Sequence, residues 1–103
     1  MEPLQVLASP RRLRLLELVW DHELAAGDIA ADFDVSWSAI SQHLSALREA
    51  GFLVERREGT SRIYRANKTA LGPLGAALED HWRRSLNQLK DLAEAEQRKK
   101  DRS

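Results

Sequence analysis

The 103-residue sequence predicts a mainly α-helical domain with one small β-hairpin, an α+β fold. Three observations predict it. Apolar residues recur at helical spacing through the first half, punctuated by Ser-Pro and Ser starts. A short β-patterned stretch follows Gly51 and turns at Gly59. A leucine-rich stripe at helical spacing then fills the last third.

Pro3 opens a short amphipathic piece with Leu4 and Leu7 on one side. Ser9-Pro10 is a helix start, because the hydroxyl can cap free amides and Pro loses nothing at the first helical position. Leu13, Leu16 and Trp20 carry that helix, Leu15 and Val19 widen its stripe, and Asp21-His22-Glu23 ends it. A second short helix over 26–33 points Ile29, Ala30 and Phe33 inward. Asp34-Val35-Ser36 is a tight connection, and Ser36 caps a third helix over 36–50. Ile40, Leu44 and Leu47 form its core stripe at i, i+4 and i+7, and Gly51 supplies a left-handed stop. Phe52-Leu53-Val54 begins a strand, 58–61 turns, and Ile63-Tyr64-Arg65 returns. From Thr69 to Ala95 a long helix runs through Leu71, Leu74, Leu78, Trp82, Leu86, Leu89 and Leu92, with a break or kink at Gly72, Pro73 and Gly75. One domain is expected over 1–96, with a polar, frayed tail over 97–103.

Composition narrows the function classes. A chain this short buries about 60–65% of its unfolded surface on folding, so its core is modest and a second copy would help cover apolar helix faces. There is no Cys, hence no disulfide framework, thiolate metal site or thiol switch. No apolar run approaches the roughly 20 residues that span a bilayer, and the start lacks a signal-peptide layout. A soluble, cytoplasmic protein without a membrane partner is expected. The 16 basic and 16 acidic residues cancel, but unevenly. Residues 1–35 carry three basic and seven acidic groups, net −4; residues 36–78 carry six and three, net +3; residues 79–103 carry seven and six, net +1. The middle third is the part suited to a polyanion, although such an imbalance also occurs on ordinary solvated faces.

Helix, short helix, tight turn, helix and basic hairpin is the order of a winged helix-turn-helix. With Ile40 at the centre of the buried stripe, Trp37, Ser38, Ser41, Gln42 and Ser45 project from the other side of the third helix. A solvated face normally prefers Glu and Lys, whereas small hydrogen-bonding groups let a helix approach base edges. Gln pairs in two places with adenine, and Ser serves a base or a phosphate. The first amides of the helix can hold a phosphate. On the hairpin, Arg56, Arg57, Arg62 and Arg65 crowd one small projection that can follow a backbone or enter a narrow minor groove. Glu55 and Glu58 are placed to pair with one or two of these arginines, so not all four need serve a ligand.

These residues carry a resemblance. Leu7-Ala8-Ser9-Pro10-Arg11-Arg12-Leu13-Arg14-Leu15-Leu16 resembles the opening of the ArsR/SmtB-type winged-helix repressors. Ser38-Ala39-Ile40-Ser41-Gln42-His43-Leu44-Ser45-Ala46-Leu47-Arg48-Glu49-Ala50-Gly51-Phe52-Leu53 is similar to their recognition helix and its exit, and Arg56-Arg57-Glu58-Gly59 with Tyr64 to their wing. The likeness covers about 4–92. It implies a homodimeric, DNA-binding transcriptional regulator, usually a repressor, that dimerises through its terminal helices. Matching positions assign Ser38, Ser41, Gln42 and His43 to major-groove or phosphate contact and Arg57 and Arg62 to the wing; with Ser36, Trp37, Ser45, Arg56 and Arg65 from the reading of the helix face and hairpin, these make up the expected DNA surface. Trp37 departs from the polar residue usual at its position. The dimer interface so implied comprises Leu4, Leu7, Leu71, Leu74, Leu78, Trp82, Leu86 and Leu89.

The metal-sensing patterns of that family are not matched. One needs Cys; another needs Asp-x-His on one chain and His-x-x-Glu or His-x-x-His on the other, whereas Asp80 and His81 are adjacent here. His22 fits a surface histidine near a helix end, and His81 a polar neighbour of Trp82. No metal or other cofactor is expected, and the resemblance names no effector. An enzyme is not expected either: there is no glycine-rich phosphate loop, and Ser41-Gln42-His43 are helix neighbours that do not face one another. The rival reading is a winged-helix module that binds a protein through exposed Trp37 instead of DNA.

Overall fold

A computed structural model describes residues 2–102. The elements follow in the order α1 (Pro3–Val6), α2 (Pro10–Leu18), β1 (Leu24–Ala25), α3 (Ala26–Ala31), α4 (Trp37–Glu49), β2 (Leu53–Glu58), β3 (Ser61–Ala66), α5 (Lys68–Leu71) and α6 (Pro73–Arg102). The chain divides into two compact units, Met1–Leu71 and Gly72–Ser103, where the sequence suggested one domain over 1–96.

The first unit is the winged helix-turn-helix. Ser9 Oγ accepts from the Arg12 amide at 3.3 Å, with Pro10 at the first helical position, so α2 begins where its cap dictates. Leu15 and Leu16 from α2, Val19 at its C-cap, Ile29 from α3, and Ile40, Leu44 and Leu47 from α4 form the buried centre. Full burial of such side chains contributes about 1.5–3 kcal/mol each, which sets the roll of all three helices about one core. Tyr64 and Phe52 close it from the hairpin side.

α4 ends in a Schellman motif. The Gly51 amide donates to Arg48 O at 3.0 Å and the Phe52 amide to Leu47 O at 2.9 Å, with Gly51 at φ +86°. Asn67 then locks the exit: its Nδ2 donates to Gly51 O at 3.1 Å and its amide to Phe52 O at 2.8 Å. The hairpin is therefore tied to the C-terminus of α4 at both of its ends.

The sheet has three strands, antiparallel, in the order β1-β3-β2. β1 pairs Leu24 with Tyr64 and Ala25 with Ile63. Two residues are too few to show a period-2 pattern, so this strand was not legible in the sequence. The wing strands are longer than the sequence suggested, reaching Glu58 and starting again at Ser61. Gly59, at φ +62°, takes the first position of the two-residue turn, and Thr60 has no positive φ, as a type II′ hairpin turn requires.

The second unit is α6. Gly72, at φ +54°, breaks the helical pattern just before Pro73, as the Gly-Pro pair predicts. The polar run from Gln97 to Arg102 is helical, contrary to the frayed tail read from the sequence; Ser103 lies outside the described residues. Good helix formers dominate this run, and Gln97 Nε2 bonds Asp101 Oδ1 one turn on at 3.3 Å. Leu86, Leu89 and Leu92 stand 65–68% exposed along α6. Leu7 and Leu71, expected at a dimer interface, are instead already buried within the chain at 7% and 6% exposure. Among the described residues no helix is long and apolar enough to cross a membrane.

Candidate nucleic-acid interface

Ser36 caps α4 by accepting from the Ala39 amide at 3.2 Å, and no acidic residue occupies the first turn. The positive end of the helix dipole thus remains uncompensated beside Trp37 and Ser38. With Ile40, Leu44 and Leu47 inward, Ser38, Gln42, Ser45 and Glu49 follow one another along the far side at i, i+4, i+7 and i+11. Ser38 and Gln42 are exposed, Ser41 and Ser45 half-buried, and Trp37 is 50% exposed. The row is neutral and hydrogen-bonding until Glu49, whose exposed carboxylate bounds it against a phosphate backbone. Sequence reasoning missed that boundary, although the i+11 spacing contained it.

His43 does not share this row. It follows Ile40 by three residues and flanks the core, half-buried, with Nδ1 accepting from Arg12 Nε at 3.1 Å. Burial, followed by the positive charges of Arg12 and Arg11, pushes its imidazole below the ordinary histidine range. A neutral imidazole is the form that can accept from a guanidinium.

The four wing arginines do not form one cluster. Strand alternation divides them, because residues paired in register share a face. Arg57 pairs with Arg62 on the face that also holds Leu53, Glu55 and Tyr64. Arg65, paired with Val54, lies on the other face with Arg56 and Ile63. Arg56 is engaged there: Nε donates to Glu23 Oε2 at 2.6 Å and Nη2 to Glu58 Oε2 at 3.3 Å, which raises its pKa further. Arg62 Nε lies 3.5 Å from Glu55 Oε1, and Arg48 Nη1 of α4 reaches Glu55 Oε2 at 2.9 Å. Glu55, 17% exposed, thereby links α4 to the wing. Arg57 and Arg65 form no ion pair among the described residues.

The Arg57–Arg62 face therefore offers a polyanion one unengaged guanidinium and one held by a long contact. Arg56 is committed to carboxylates on the opposite face. Among the described residues no group of three or more His, Cys, Asp or Glu is placed to hold a metal, and His22 and His81 are exposed.

Comparison with known proteins gives a consistent set of relatives. Residues 9–55 match the family described as bacterial regulatory protein, arsR family. The HTH-type transcriptional regulator Rv2034 of Mycobacterium tuberculosis is 36% identical over 92 residues, covering 89% of this chain and 86% of that one. The transcriptional activator HlyU of Vibrio cholerae is 36% identical over 66 residues, 64% of this chain and 61% of its own length. The transcriptional repressor SdpR of Bacillus subtilis is 34% identical over 67 residues, 65% and 74% of the two chains. A solved structure of Vibrio cholerae HlyU superposes with a TM-score of 0.69 at 32% identity, over 77% of this chain and 86% of that one.

Proposed function

Since the chain belongs to the arsR family of bacterial regulatory proteins, we propose that it is a dimeric repressor that reads a pseudo-palindromic DNA operator. The α4 row Ser38, Gln42 and Ser45 reads base edges in the major groove. Arg57 and Arg62 hold the flanking backbone. The observation that carries this reading is the pairing of a nearly charge-free helix face with an arginine pair on the wing, joined through Arg48 and Glu55. Base contacts specify and phosphate contacts position, and the two surfaces divide in that way.

Dimerisation is carried by α6. Leu78, Trp82, Ser85, Leu89 and Leu92 recur at alternating spacings of four and three, the pattern of a helix-pairing seam, and Leu86 lies beside it. A row of leucines this exposed marks an interface, and two-fold pairing covers it with the same row of a second copy. Leu4, 71% exposed in the first unit, is a separate candidate for contact with a second copy. Relatives act with either sign, SdpR being named a repressor and HlyU an activator. In this proposal the protein represses by occupying its operator.

The test is titration of the full chain against a duplex carrying its own promoter, and against a scrambled duplex, at several salt concentrations. Specific binding that weakens steeply with salt supports the proposal. Absence of duplex binding at low salt overturns it.

A further inference from the structure

Arg12 belongs to the first turn of α2 and does not lie on the outward row of α4, yet its directed bonds to Val6 and His43 join three elements. Nη1 donates to Val6 O at the end of α1 at 2.9 Å, and Nε donates to Nδ1 of His43 on α4 at 3.1 Å. The second bond has a chemical consequence. When Nδ1 of a neutral imidazole accepts, its proton must sit on Nε2. Nε2 of His43 makes no hydrogen bond among the described residues. No side-chain nitrogen or oxygen among them is both buried and without a partner, so Nε2 reaches solvent.

We propose that Arg12 is a positioning residue for DNA binding, holding His43 as the Nε2–H tautomer so that it presents a fixed, neutral donor to a backbone phosphate. This rests on the proposal that α4 faces DNA. A phosphate suits His43 better than a base does, because His43 flanks the core on the side facing the N-terminal turn of α2.

The charged groups acting on His43 are the guanidinium groups of Arg12 and Arg11, both on α2. Burial first, and then these charges, favour the neutral imidazole, the form that accepts from Arg12. Without Arg12 the ring is free to rotate and to exchange tautomers, and it takes up a proton more readily.

The experiment uses the full-length chain and Arg12→Met, which keeps an unbranched stem but removes the donors. Nitrogen-15 spectra of the imidazole are expected to show the Nε2–H form in the unaltered protein and a tautomer mixture in the variant. Operator affinity of Arg12→Met is expected to fall about tenfold at pH 8, the scale of one lost charge-assisted hydrogen bond. The deficit should narrow toward pH 6, where the released imidazole protonates and becomes a cationic phosphate ligand. In a His43→Ala background, Arg12→Met should cost nothing further. An equal cost in both backgrounds, or an Nδ1–H tautomer in the unaltered protein, overturns the proposal. The spectrum of the unaltered protein decides even if Arg12→Met fails to fold. If Gln42→Ala and His43→Ala both leave operator affinity unchanged, the placement of the DNA surface fails. If those variants lose affinity and Arg12→Met does not, only the role of Arg12 fails.

Discussion

Arg57 and Arg62 stand directly opposite one another on β2 and β3, so two guanidinium groups project side by side from one face of the wing. Like charges across a strand pair oppose folding. Glu55 relieves Arg62 at 3.5 Å, while Arg57 has no ion pair among the described residues. Such a like-charged pair is the arrangement expected of the phosphate-contacting surface proposed above.

Arg57→Ala is expected to weaken binding to operator and scrambled duplexes by similar factors. The slope of log affinity against log salt should become shallower by about one unit per lost phosphate contact. Arg56→Ala should change that slope far less, because its guanidinium is engaged by Glu23 and Glu58. Equal salt slopes for the two variants would place the backbone contact elsewhere.

Gln42→Ala is expected to lose about 1–3 kcal/mol on the operator and almost nothing on scrambled DNA, relaxing the preference at one position in each half-site. Selection from pooled duplexes, comparing the variant with the unaltered protein, reads this directly. A pseudo-palindrome with half-sites about 34 Å apart is the expected product of the unaltered protein.

Leu89→Glu places a carboxylate in the exposed apolar row of α6 and is expected to convert a dimer at micromolar concentration into a monomer. Operator binding should fall with it, since one half-site no longer recruits the other. Sedimentation of the unaltered protein as a stable monomer would remove the basis of the two-fold reading.

The folded-state pKa of His43 is depressed, by burial first and then by Arg12 and Arg11. The unfolded chain takes up this proton at about pH 6.5, the native state at a lower pH. The contribution of His43 to stability is therefore complete above that value and declines as the pH falls below it. Denaturation midpoints measured from pH 7.5 to 5.5 should fall more for the unaltered protein than for His43→Leu. Parallel curves would show that the imidazole titrates normally in the fold.

The helix-turn-helix was legible because its signals are local. Ser9-Pro10 and Ser36 start helices at their own positions, and Gly51 stops α4 with the Schellman bonds that the residue permits. The wing was legible as a hairpin but not as two faces. Dividing Arg57 and Arg62 from Arg56 and Arg65 requires the register, which depends on how Leu53 and Tyr64 enter the core. His43 entered the expected DNA surface through the family resemblance, while its spacing from Ile40 sets it on the flank of the core. Its partner Arg12 lies 31 residues away, a pairing no local pattern carries. Leu7 and Leu71 continue apolar stripes by spacing, and only burial separates them from the exposed leucines of α6.

If the wing meets DNA as proposed, Glu55 bears on how quickly an operator is found. A phosphate that engages Arg62 must compete with a carboxylate already there, so each random stretch of duplex gains little from that side chain. Weakly gripped DNA is released sooner, and the protein surveys more sequence in a given time. Long dwell is then reserved for stretches where α4 adds base contacts to those of the wing. An acidic residue on the proposed DNA-facing surface would thus trade residence on the wrong sites for speed of search.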